Sequence, residues 1–151
     1  MNKLNYLSVL ILLMTFGFSF GQGTTKTKAN QLEIGARFND NHFYVDAVIP
    51  FKKASRLHPS VAIGNGGAMV ATYLDWTIAL NEANGLGFYY GLGPELYFYN
   101  DFNIGVAGDF GIEYAFKAPI TIGFDWRPGF VFSPYDFHTG NWGFIVRYRF
   151  N

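Results

Sequence analysis

The chain has no cysteine among its 151 residues. Disulfides, thiolate metal sites and a lipid-modified cysteine anchor are therefore all excluded. Charge is also scarce: 15% of residues are charged and the formal net charge is zero. A soluble domain carries about 25% charged residues, and nucleic-acid recruitment needs a broad basic surface that this chain does not have. The lysines are Lys3, Lys26, Lys28, Lys52, Lys53 and Lys117, and none falls inside a segment that reads as a strand. After the first twenty or so residues no stretch sustains a helical period.

What the chain has instead is aromatics at 20% and 18 glycines. Near the end, Asn141-Trp-Gly-Phe-Ile-Val-Arg-Tyr-Arg-Phe150 puts Trp142, Phe144, Val146, Tyr148 and Phe150 on one side of a strand. Gly143, Ile145, Arg147 and Arg149 take the other, since strand side chains alternate with period two. An aromatic face opposite an Arg/Gly face fits a strand with lipid outside and a closed lumen inside.

The N-terminus reads as a signal peptide over residues 1–21, with Lys3 before an apolar run from Leu4 to Phe20 and a small-residue site at Ser19-Phe20-Gly21. Residues 22–29 read as a flexible polar lead-in, and residues 30–151 as one barrel domain.

Eight strand-like segments follow: about Gln31–Phe38, Phe43–Ile49, a short one near Ser60–Ile63, Ala68–Leu80, Gly87–Tyr99, Phe102–Phe116, Ile120–Phe132 and the last ten residues. Pro50 to Arg56 reads as a basic loop, and Ser133 to Asn141 as a long loop. The expected fold is all-β: an eight-stranded antiparallel up-and-down transmembrane β-barrel. Pro94 and Pro128 fall mid-strand, where a missing amide calls for a bulge or kink.

Charge decides which face points inward. Glu33, Arg37, Asp46, Asp75, Glu95, Asp109, Glu113, Asp125, Arg127, Arg147 and Arg149 share their face with the strand glycines and with Tyr44, Tyr73, Tyr89 and Tyr97. Charges on a lipid face would cost about 2–4 kcal/mol each at the midplane, so these residues are assigned to a lumenal charge network. In it Arg127, Arg147 and Arg149 are expected to meet Glu33, Asp109, Glu113 and Asp125. A soluble barrel would show the opposite polarity, apolar inside and charged outside.

The alternation and the ending resemble the small OmpA/OmpX-type outer-membrane barrels. Asn141, Gly143, Val146 and Tyr148, with Phe150 beyond, look like the C-terminal β-signal read by the outer-membrane insertion machinery. Gly91-Leu-Gly93, Gly111-Ile-Glu113-Tyr114 and Phe124-Asp-Trp-Arg-Pro128 are similar to a family of short outer-membrane β-barrel proteins. The resemblance implies a fold and a location in the outer membrane of a Gram-negative-type bacterium. It implies contact with outer-membrane lipid and lipopolysaccharide, a monomer, and no assigned chemistry.

Candidate chemistry is thin. His42, His58 and His138 fall in or beside different loops and read as solvated. Ser133, Asp136 and His138 share the last loop and could supply a nucleophile and base for an outer-leaflet lipid-modifying enzyme, but a polar loop contains such residues by chance. A small-solute pore is the other alternative, although eight strands leave an interior that side chains fill. No cofactor, metal or catalytic residue is assigned. The expected role is structural, or surface interaction through extracellular loops with a partner the sequence does not identify.

Overall fold

The computed structural model describes residues 31–40, 42–52, 54–64, 66–80, 85–132 and 135–150. The signal peptide and lead-in expected from the sequence lie outside these residues. Ten β-segments are present: β1 (Glu33–Phe38), β2 (Phe43–Lys52), β3 (Ser55–Gly64), β4 (Gly67–Ala79), β5 (Leu86–Phe98), β6 (Phe102–Ala115), β7 (Ile120–Trp126), β8 (Gly129–Phe132), β9 (Tyr135–His138) and β10 (Trp142–Arg149). Every pairing is antiparallel, β1 pairs with β10, and β5 pairs with β6, so the sheet closes on itself.

β7 and β8 form one stave, because their register against β6 continues from Phe110↔Trp126 to Ala107↔Gly129. β9 and β10 form the next. The result is a closed eight-stranded antiparallel barrel with no described helix.

The two prolines act differently. At Pro128 the stave breaks, and Arg127 and Pro128 face three residues, Thr139 to Asn141, between the pairs Trp142↔Trp126 and Gly129↔His138. The extra residue lies in the facing stave, so the irregularity expected at Pro128 is a break in its own stave opposite a bulge in the β9–β10 stave. At Pro94 no bulge forms. The register against β4 is the same on either side, Ala71↔Glu95 and Leu74↔Leu92, while Thr72–Pro94 and Tyr73–Gly93 are skipped. Pairing with β6 is unbroken through Pro94↔Val106. The missing amide costs a ladder bond on one side without shifting the strand.

Two expectations about strands are corrected. β3 is ten residues long, starting at Ser55, not a short segment after a basic loop. Arg56, His58, Ser60 and Ala62 are buried while Val61 and Ile63 are exposed, a full alternation that begins inside the stretch read as loop. The last loop is also not a loop throughout: β9 folds back on β8 through Phe130↔Phe137 and Phe132↔Tyr135.

Face polarity follows the sequence reading. Leu32, Ile34, Val45, Phe88, Leu92, Phe110, Phe124 and Phe144 are exposed on the outer wall, whereas Arg37, Asp46, Asp75, Asp109, Arg127 and Arg147 are buried. An apolar layer, Tyr44, Ala62, Met69, Ala71, Tyr73 and Ala107, fills the lumen beside the charges, with Tyr97 packed on it.

Candidate functional site

The lumen is the one place where the barrel concentrates chemistry. Inward positions alternate along every stave, so closure delivers charges from all eight staves into one narrow space. Burying a charge is tolerated only when it is paired, and the pairs are extensive.

His58 sits at the middle of this network. Its Nε2 is 2.7 Å from Asp46 Oδ2, and its Nδ1 is 2.9 Å from Asp75 Oδ2 and 2.7 Å from Asp109 Oδ2. Carboxylate oxygens only accept, so a ring that satisfies both sides carries a proton on each nitrogen. Arg127 Nη2 and Arg147 Nη1 lie 3.3 and 3.2 Å from Nε2, farther than Asp46, with which both arginines also pair. The ring is buried completely and has Tyr73 and Tyr89 edge-on at 6.1 and 5.9 Å. The expectation of a solvated loop histidine is overturned, because His58 occupies an inward position of β3.

Around this centre, Arg127 Nε is 3.2 Å from Asp109 and 2.9 Å from Asp125, and Nη1 donates to Ser60 Oγ at 3.1 Å. Arg37 Nε donates to both oxygens of Asp125 at 2.8 and 2.9 Å. Such charge-assisted contacts are the stronger class of hydrogen bond. Where β1 begins and β10 ends, Arg147 meets Glu33 at 3.0 Å and Glu113 at 2.5 Å, and Thr121 Oγ1 donates to Glu33 at 3.2 Å. Arg56 grips Glu113 with two nitrogens at 2.7 and 3.0 Å, reaches Asp75 at 3.3 Å and stacks 4.4 Å from the Tyr89 ring. Arg56 was expected in a loop; it is a full member of the network.

Arg149 departs in the other direction. It meets no carboxylate. Its Nη2 donates to the carbonyls of Phe116 and Ala118 in the β6–β7 turn. The residue stands at the last position of β10, beside the β6–β7 turn whose carbonyls it reaches.

Glu95 is buried without a guanidinium beside it. Tyr73 and Tyr97 hydroxyls donate to it at 2.6 and 2.5 Å, and His138 Nε2 is 3.8 Å away. Lumen-facing carboxylates (Glu33, Asp46, Asp75, Glu95, Asp109, Glu113, Asp125) outnumber Arg37, Arg56, Arg127, Arg147 and His58 combined, and Glu95 is the one served by tyrosines.

By ligand type, His58, Asp75 and Asp109 could hold a metal ion, their donor atoms lying within 4.8 Å of one another. His58 Nδ1 stands 2.9 Å from Asp75 and 2.7 Å from Asp109, and guanidiniums from Arg56 and Arg127 already serve these two carboxylates. A protonated His58 supplies the positive charge between these carboxylates, and a cation would have to displace it.

The residues of the C-terminal motif take part in the same packing. The Asn141 carbonyl accepts from Arg37 Nη2 at 3.1 Å, and its side-chain oxygen accepts from Asn39 at 3.1 Å. A Cβ on Gly143 would stand 2.4 Å from the Arg37 guanidinium carbon, so glycine is what lets Arg37 lie flat against β10. Val146 pairs with Ala36 and Ile122, and Tyr148 meets Phe150 edge-on at 5.0 Å. Of the proposed lipid-enzyme set, Ser133 lies outside the described residues, Asp136 is exposed, and His138 is turned toward Glu95.

No family model, curated protein or solved structure matches this chain.

Proposed function

We propose that this chain is an integral outer-membrane β-barrel with a sealed lumen, acting as a structural or surface-interaction protein through its loop-bearing rim. The observation that carries the reading is its polarity. Large apolar and aromatic side chains form the outer wall, and fully buried arginines, carboxylates and His58 form the interior. In water this arrangement would expose contiguous apolar surface far beyond what soluble monomers show. In hydrocarbon it is the favourable one. Closure through β1 and β10 and through β5 and β6 pairs the described staves on both sides, except for the far side of the short β9, as a bilayer requires.

The filled lumen supports a non-conducting, non-catalytic role. Paired arginines and tyrosines occupy the space that a solute would need. The terminal motif, Asn141 to Phe150, supports delivery by the outer-membrane insertion machinery, and the apolar N-terminal run supports export. The test combines membrane fractionation with gel mobility. The full chain should fractionate with the outer membrane and migrate differently before and after boiling. Planar bilayers containing it should show no single-channel steps. Recovery in the soluble fraction, with one heat-independent band, would overturn the reading.

A further inference from the structure

The two rims of the barrel carry opposite charge among the described residues. Among the described residues, the rim formed where β2 and β10 end and β6 turns into β7 exposes Lys52, Lys117 and, partly, Arg149, with no exposed carboxylate. The opposite rim exposes Asp40, Asp101 and Asp136. The lumenal charges are buried, and most are paired with one another, so they do not set the character of either rim.

The basic rim is also aromatic. Phe51, Tyr114, Phe116 and Phe150 are exposed there, Tyr114 meets Phe116 edge-on at 4.8 Å, and the Lys52 ammonium lies 5.4 Å from the Phe51 ring. Arg149 is held by two turn carbonyls through one nitrogen, while among the described residues its Nε and Nη1 meet no hydrogen-bond acceptor. A guanidinium fixed in place with donors to spare is suited to a phosphate oxygen.

Resting on the membrane-barrel reading, we infer that this rim binds the phosphate headgroups of anionic glycerophospholipid, with Lys117 and Arg149 on one side of β1 and Lys52 on the other. The ligand must be amphipathic, because each basic group stands immediately beside an apolar outer wall. A lipid satisfies both surfaces at once: phosphate to the cations, acyl chains to the wall, and interfacial aromatics at headgroup depth. A soluble acidic peptide would satisfy only the first. The same charge pattern sets the orientation, with the basic rim in the phospholipid leaflet and the acidic rim on the other side of the membrane.

The test uses the full chain folded in neutral micelles, with phosphatidylglycerol or phosphatidylcholine of matched acyl chains added and retained lipid counted by native mass spectrometry. Phosphatidylglycerol should be retained in preference, by roughly fivefold for each basic side chain engaged. Lys52→Gln with Lys117→Gln should reduce that preference strongly. Among the described residues these lysines make no hydrogen bond or ion pair, so the unheated gel band should remain. Asp40→Asn, Asp101→Asn and Asp136→Asn should leave the preference intact. Equal retention of both lipids by a protein that still shows heat-modifiable mobility overturns the inference alone. So does a preference that survives loss of both lysines, or displacement of the lipid by soluble polyglutamate. Loss of heat-modifiable mobility in the unaltered protein overturns the membrane-barrel reading as well.

Discussion

His58 Nε2 lies 2.7 Å from Asp46 Oδ2, and neither side chain is exposed. The contact joins β3 to β2 inside the barrel, and through Asp75 and Asp109 the same ring reaches β4 and β6. One imidazole thus organises carboxylates from three staves. His58→Leu should leave these carboxylates facing one another with one fewer cation, at a cost of about 3–5 kcal/mol, the usual penalty for breaking a buried pair. Adding Asp46→Asn should recover part of the loss. Urea unfolding from micelles, followed by tryptophan fluorescence, measures both.

The inward and outward faces were legible in the sequence because the alternation is strict. Glu33, Gly35 and Arg37 against Leu32, Ile34 and Phe38 leaves no second way to place β1. Arg56 and His58 escaped for a physical reason. Lys52-Lys53-Ala54-Ser55 ahead of them and Pro59 beside them have turn chemistry, so a ten-residue strand read as loop plus fragment. The signal was present, since Arg56, His58, Ser60 and Ala62 alternate with Leu57, Pro59, Val61 and Ile63. Arg149 shows the reverse limit. Period two gives the face but not where the lumen ends, and at the last position of a strand a neighbouring turn can capture the side chain. The β9 extension needed knowledge of β8, whose separation from β7 depends on the break at Pro128.

Arg147 and Glu33 should prove energetically coupled. Their charged atoms are 3.0 Å apart on neighbouring staves. Arg147 also serves Glu113 and Asp46, so Arg147→Met should cost more than Glu33→Gln. The double variant should fall short of the sum by about 0.5–3 kcal/mol, the range for residues in one network. Additive losses in urea unfolding would show that the pair is not coupled.

Buried carboxylates should differ sharply in tolerance. Asp125→Asn removes the carboxylate that Arg37 pairs with and one of three that serve Arg127, which keeps Asp46 and Asp109, so a buried cation loses its counter-charge at a cost of about 3–5 kcal/mol. Glu95→Gln removes no guanidinium partner and keeps an oxygen for a tyrosine hydroxyl, so about 1 kcal/mol is expected, the net worth of an ordinary hydrogen bond. Equal losses in the same unfolding assay would mean that Glu95 carries charge the network depends on.

Glycine tests the fit between staves. Gly143→Ala would put a methyl group 2.4 Å from the Arg37 guanidinium carbon, and Gly111→Ala one 2.2 Å from the Tyr89 ring. Each should destabilise by about 1–3 kcal/mol, the typical cost of overpacking. Gly140→Ala, with nothing within 4 Å, is the control and should be neutral within error.

The outer wall offers the sharpest test of environment. Phe124 is 46% exposed on β7, between its partners Ile112 on β6 and Phe144 on β10. In water, Phe124→Lys would replace an exposed apolar group by a soluble one and cost little. In a bilayer it places an ammonium in hydrocarbon, at about 2–4 kcal/mol near the midplane. Tyr97→Ser faces the lumen and removes one hydroxyl contact to Glu95, which serine is too short to replace. In vesicles, Phe124→Lys should therefore cut the yield of the heat-modifiable folded band far more than Tyr97→Ser. If the two variants assemble equally, or Phe124→Lys assembles better, the outer wall does not face lipid, and the polarity argument for a membrane barrel fails with it.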